Sequence, residues 1–484
     1  AIAGTINIIT KEPLRNSGQL AHTLTSIGGS SSFDNNTSLN ASLVTDDHRA
    51  GLYVFGQNRH RDAYDHDGDG YSEMPKLKNQ TVGFRLFLKT STYSKLTFEY
   101  HHLQEFRRGG NLLNRPPHEA DIAEQIQHSI NGGGLKFDYF APNEKHRLTV
   151  YTSAQHTDRD SYYGSKKDQN AYGKTTDLTF IGGSQYVYSF GKCLFMPADL
   201  TAGLEYNRDN LKDDMWGYNR YTKQTVNIGS AFLQNEWKNE KWSILLGGRL
   251  DKHNLMARPV FSPRVNLRYS PVAWVGLRAS YSSGYRAPQA YNEDLHIDAL
   301  DHKISIIRLD PNLRPEYSHS VSASADFTRS FGRVQANLLV EGFYTMLDDV
   351  FTLEKVGEDA QGNIIRERRN ASGATVGGVS AELKAASPGA SRCSWAIPSS
   401  GAATTSPSAG RTRWSPSGGC SARRTTTASL RPTARSYATF RFRSSGPLRG
   451  GCSCSTMRAS SRTTKRHSPL PSGTWVCACA TTCA

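Results

Sequence analysis

The stretch DHDGDGYSE sets Asp65, Asp67 and Asp69 at alternate positions ahead of Gly70, with Glu73 following. Carboxylate oxygens at that spacing on a tight glycine turn can converge on a hard cation, and calcium is the candidate cofactor they suggest. Lys76 stands where an EF-hand loop would carry its bidentate glutamate, so an EF-hand is excluded. What remains is a looser calcium loop or the ordinary chemistry of a solvated turn. HEADI at His118 lacks the second histidine of a zinc protease at the required spacing. No Ser-His-Asp or paired-carboxylate arrangement stands out, and the chain does not read as an enzyme.

Cysteine is the other metal-capable residue, and its distribution divides the chain. From Ala385 onward there are fourteen Lys and Arg, no Asp or Glu, and seven of the eight cysteines. The first 384 residues therefore balance at about one positive charge, with Cys193 as their one thiol. The tail lacks the Cys-x2-Cys spacing and histidines of a zinc module, and its arginines are scattered instead of clustered as in a nucleic-acid-binding arm. A shifted reading frame explains it better. If the true codons begin at the third base of each displayed codon, Trp475-Val476 encodes Gly, and Thr474–Cys483 becomes apolar at nearly every second place, a β-strand pattern. We expect a frameshift between about Ala385 and Arg392, with residues 385–484 an out-of-frame rendering of further strands.

The elements that must position these residues are strands. Val82, Phe84, Leu86 and Leu88 alternate, a short polar turn follows, and Leu96, Phe98 and Tyr100 alternate again. The same grammar returns in Leu135, Phe137 and Tyr139 before Leu148 and Val150, in Val265, Leu267 and Tyr269 before Val275, Leu277, Ala279 and Tyr281, and in Val321 to Phe327 before Val334 to Val340. Longer polar connections fall at 57–80, 104–132, 155–175, 207–228 and 285–316. Strands of about ten residues with tight turns at one end and long loops at the other predict an all-β, antiparallel transmembrane barrel, whose closure satisfies every backbone group in lipid. Tyr93, Trp237, Trp242 and Trp274, at strand ends, suit interfacial girdles. A body with one cysteine also suits passage through an oxidising periplasm.

Three segments resemble TonB-dependent outer-membrane receptors. AIAGTINIITKEP (residues 1–13), with Ala3, Gly4, Ile6, Asn7, Ile8, Thr10 and Lys11, is similar to the end of that family's plug domain. SYSSGYRAPQAYNEDLH (residues 280–296), with Gly284, Arg286 and Pro288, resembles its Arg-Ala-Pro barrel motif. LDPNLRPEYSHSVS, with Pro311, Asn312, Leu313, Pro315 and Glu316, resembles the box that precedes the next strand. EFRRGGNLLNRPPHEADIAEQ and NEDLH look most like receptors of Bacteroidetes.

The resemblance implies a barrel of about 22 strands closed by an N-terminal plug, residing in the Gram-negative outer membrane. It implies uptake of a scarce metal chelate (siderophore, cobalamin or haem), with the energised TonB complex, the chelate and outer-membrane lipid as partners and no nucleic acid. His296 and His302 lie in the loop where haem receptors of this family can present an iron-ligating histidine, a role imidazole suits. Residues 1–13 would be the end of the plug and 14–384 the barrel. The chain departs from the pattern by starting at the plug's end, without the TonB-contacting segment, so the printed polypeptide is not expected to close or transport by itself. A passive porin or an adhesin barrel is the alternative, distinguished by whether a plug and a TonB-contact segment are encoded upstream.

Overall fold

The computed structural model describes residues 12–300, 303–386, 393–405 and 476–483. Alternation becomes one antiparallel sheet of eighteen strands. Thirteen of them, from Ser17–Ser26 to Val275–Arg286, each pair with the next in chain order. Glu316–Phe331, Val334–Asp348, Gly373–Ala386 and Cys393–Thr405 continue the order, and Val476–Cys483 pairs with the far side of Ser17–Ser26. The last two named are the sheet's edges, so the barrel is not closed within the described residues.

Register places the expected apolar residues on one face. Phe84 lies opposite Tyr100, Leu86 opposite Phe98 and Leu88 opposite Leu96; Phe137 lies opposite Val150, Val265 opposite Tyr281 and Phe327 opposite Leu338. Leu20, Leu39, Val82, Leu135, Leu204, Leu233 and Val321 are all exposed, as a lipid-facing band requires. The alternate residues face the lumen and are mostly polar. Four inward-facing aromatics lie on a glycine directly across the pair: Phe55 on Gly83, Phe87 on Gly51, Tyr151 on Gly183 and Phe232 on Gly203. Each ring fills the space a Cβ would take. At the tight turns Trp242 stacks on Tyr269 at 4.1 Å and Phe195 on Trp237 at 5.6 Å, while Tyr93 and Trp274 are exposed, in keeping with girdle positions.

The strands are longer than the alternation predicts. Ser72–Ser91, Ile122–Phe140, His146–Ser165, Tyr172–Cys193 and Met196–Met215 run 19 to 22 residues and absorb most of the polar stretches read as loops. About ten residues suffice to cross the hydrocarbon. Beyond it the outward side chains meet water and lose their apolar pattern, yet the backbone ladder continues. Among the described residues, the connection 287–315 keeps the character expected of a long loop, and it folds into a second sheet with the connection 349–372, which the alternation did not single out. Asp298–Leu300 pairs with Lys303–Leu309, which runs parallel to Ile364–Asn370, itself antiparallel to Phe351–Glu358. This cap sits on the extended wall: Ile297, Ile304, Ile306 and Ile365 share a buried cluster with Ile126, Tyr162, Tyr163, Met215 and Tyr218.

Candidate functional site

The sequence-predicted residues converge on the long-loop end of the barrel. Asp65, Asp67, Asp69 and Glu73 bring four carboxylate oxygens within 4.8 Å of one another, all on exposed side chains. The same oxygens also close the turn. Asp65 accepts from the Gly68 and Gly70 N–H groups at 2.7 and 2.8 Å, Asp69 from Tyr71 at 2.8 Å, and Glu73 from His66 at 2.5 Å. Gly68 and Gly70 adopt φ of +80° and +89°, a backbone region that glycine enters without steric cost. The donor set fits a hard cation, and the turn has its own use for it.

Glu73 also lines a crevice of about 460 Å³ with Arg107, Glu124, Tyr163, His296 and Ile297. His296 reaches it from the cap, edge-on to Tyr163 with ring centroids 5.1 Å apart. His302, Gly4 and Asn7 lie outside the described residues.

The barrel motif anchors the cap. Gly284 accepts from the Ser318 hydroxyl at 3.4 Å. Arg286 follows it, opposite Glu316 in register, with its guanidinium 4.0 Å from the Tyr291 ring centroid and 2.5 Å from Glu293. Pro288 starts the descent into a short turn of 3-10 helix, Asn292–Leu295. On the return, the Asn312 N–H donates to Asp310 at 2.8 Å, and the Arg314 N–H just ahead of Pro315 donates to Asn370 at 2.7 Å. Glu316 is buried and accepts from the Phe351 N–H at 3.5 Å. These residues tie the two cap loops to the wall.

A buried ionic lattice completes the attachment. Asp213, with no exposed surface, receives Arg220 at 2.8 Å, Arg159 at 3.4 Å and the Thr175 hydroxyl at 2.6 Å. Arg220 donates onward to the Leu295 carbonyl at 2.8 Å and the Asp294 carbonyl at 3.2 Å, and Arg159 to Asn292 at 3.1 Å. Asp294 in turn takes Arg368 of the second loop at 2.5 Å. The Arg286 guanidinium, with Arg368 beyond it, holds the Glu293 carboxyl below the usual carboxylate range. Burial pushes the Tyr218 phenol up, and its hydroxyl donates to the Tyr163 carbonyl. Sequence reasoning missed Arg159, Asp213, Arg220, Asp294 and Arg368, because each looks like one more polar residue until the loops fold back.

The comparisons with known proteins point the same way. Residues 13–451 match the family described as TonB dependent receptor-like, beta-barrel. No curated protein sequence matches. Among solved structures, the siderophore receptor PirA from Pseudomonas aeruginosa is similar at a TM-score of 0.66 and 14% identity, over 82% of this chain and 68% of that one. A mutant ferric enterobactin receptor, PfeA, from the same organism gives 0.65 and 16%, over 82% and 64%. The outer membrane transporter YddB from Escherichia coli gives 0.61 and 12%, over 81% and 61%. The chain thus spans about two thirds or less of the length of these structures. Its lipid-facing band and its family place it in the Gram-negative outer membrane. The chain belongs to the TonB-dependent receptor β-barrel family.

Proposed function

We propose that the chain is the barrel of a receptor that takes up a metal chelate under the drive of TonB. The family match across nearly the whole chain carries this reading, and the capped mouth supports it. A passive pore has no evident need of a roof fixed by buried arginines, whereas a receptor needs a shaped surface to recognise a scarce ligand. The structural neighbours named as siderophore receptors favour a ferric siderophore over cobalamin. A haem cargo would meet His296 in the crevice, and a Soret shift on titration, lost in His296→Ala, would mark it. Growth of an iron-limited deletion strain, complemented with the parent gene and fed single siderophores, haem or cobalamin, identifies the chelate. Growth that persists without TonB would favour the porin alternative.

The tail belongs to the same proposal. We infer a frame change between about Ala385 and Arg392, supported by fourteen basic and no acidic residues beyond it. Resequencing the DNA across those codons tests this: a missing or extra base supports it, and a clean read in the printed frame removes it.

A further inference from the structure

We propose that Arg264, Arg268 and Arg278 form an oxyanion-binding site on the lumenal wall, near the tight-turn end of the barrel. Val265, Leu267 and Tyr269 face lipid on one strand, as do Leu277, Ala279 and Tyr281 on the next, so the three arginines face the lumen. Arg268 and Arg278 lie directly opposite each other in register. Like charges so placed repel, and elsewhere on this wall carboxylates relieve guanidinium groups. Arg59 pairs with Asp34 at 2.5 Å, and Arg249 with Glu205 and Asp251 at 2.7 Å.

Here no such relief exists among the described residues. Arg268 makes a long hydrogen bond to the Ser270 hydroxyl at 3.4 Å. Arg264 reaches the Asn266 amide at 3.1 and 3.2 Å when that amide is turned with its oxygen toward the guanidinium. Hydroxyls stand beside them: Ser280 and Ser322 share a hydrogen bond at 2.7 Å, and Ser282 and Ser324 lie opposite Arg264 and opposite Arg278 on the flanking strands, while Asp326, one lumenal step from Ser324, is engaged by the Asn337 amide at 2.6 Å and the Thr328 hydroxyl at 3.1 Å. Two opposed planar forks, a third cation two lumenal positions along, beyond Asn266, and nearby serines suit a multidentate carboxylate, which accepts paired N–H bonds from each fork. The carboxylates come either from a small anionic chelate or from acidic side chains of a protein segment lodged in the lumen. The site needs only the barrel, so it stands or falls independently of TonB-driven uptake.

The probe is citrate, titrated calorimetrically into the barrel encoded by the parent gene, purified from outer membranes in detergent, with heat-modifiable electrophoretic mobility as the check of folding. Binding is expected, and Arg264→Gln/Arg268→Gln/Arg278→Gln should weaken it by on the order of tenfold or more. The triple lysine variant, which preserves charge and is the second route if the glutamine variant does not fold, should bind more weakly than the parent because the paired forks are lost. Repeating the titration on the protein extended by the coding region upstream of Ala1 separates the sources. Citrate binding that disappears there assigns the site to the protein's own acidic side chains, and binding that persists assigns it to a small anion. Absence of citrate binding by the folded chain, or equal affinity in the parent and the arginine variants, overturns the proposal.

Discussion

The lipid-facing band and the cap are both built of β-strands, but different forces hold them. In the band, neighbouring strands are neighbours in sequence, the outward side chains need only be apolar, and the hydrogen-bond ladder supplies the rest. The cap joins loops far apart in the chain, encloses an apolar cluster and buries charges that must be paired to be tolerated. Where lipid is the solvent a composition rule suffices; where loops must make a roof over water, specific partners are required.

The largest effect expected from breaking this contrast is at Asp213. Asp213→Ala leaves Arg159 and Arg220 buried without their carboxylate, at a cost of roughly 3–5 kcal/mol. Hydrogen exchange should rise sharply in Lys303–Leu309 and Ile364–Asn370 while the band strands stay protected. Equal loosening of both regions would show that cap and wall form one cooperative unit. In the band, Leu204→Arg, at an outward position that is 63% exposed, should cost about 2–4 kcal/mol by equilibrium unfolding in lipid. Arg substituted at Gln185, an exposed lumenal position opposite Gly203 on the neighbouring strand, should cost less if the two faces differ as described. Gly83→Val drives a side chain into the Phe55 ring and toward the Tyr100 carbonyl at 2.8 Å, for roughly 1–3 kcal/mol. Phe55→Ala in the same chain should recover part of that loss.

These three positions also show what was legible in the sequence. Leu204 belongs to an alternation visible without any structure, and so do all four hairpins read from it. Gly83 could be seen but not its reason, since Phe55 becomes its neighbour only through the register of two strands. Asp213 gave no signal, because lumenal and buried carboxylates alternate with outward residues in the same way. Arg368 meets Asp294 across 74 residues, in a contact no local pattern encodes. The Arg-Ala-Pro motif marked the place where the cap begins, but not that Arg286 would stack on Tyr291 and pair with Glu293.

Smaller effects sharpen the comparison. Glu293 has its carboxyl held below 4.5 in the folded chain, first by Arg286. Its contribution is therefore present in full above the unfolded value and is lost as pH falls through the lowered one. With the side chain 56% exposed the effect is modest. Cap exchange should quicken as pH falls below the ordinary carboxylate range in the parent and less so in Glu293→Gln, with band exchange the same in both. The smallest effect belongs to the exposed turn. Asp65→Asn weakens the acceptors for Gly68 and Gly70 and should raise exchange at those two amides. A difference that appears only with calcium would mean that the four carboxylates hold the cation, and a calcium-independent difference would leave them as turn chemistry.

Uptake itself is the central claim, and radioiron accumulation tests it most directly. Cells carrying the parent receptor, supplied with the chelate that supports growth, are compared before and after TonB depletion. The account predicts concentrative uptake that collapses to the level of cells lacking the receptor once TonB is removed. Accumulation that continues unchanged without TonB would contradict it.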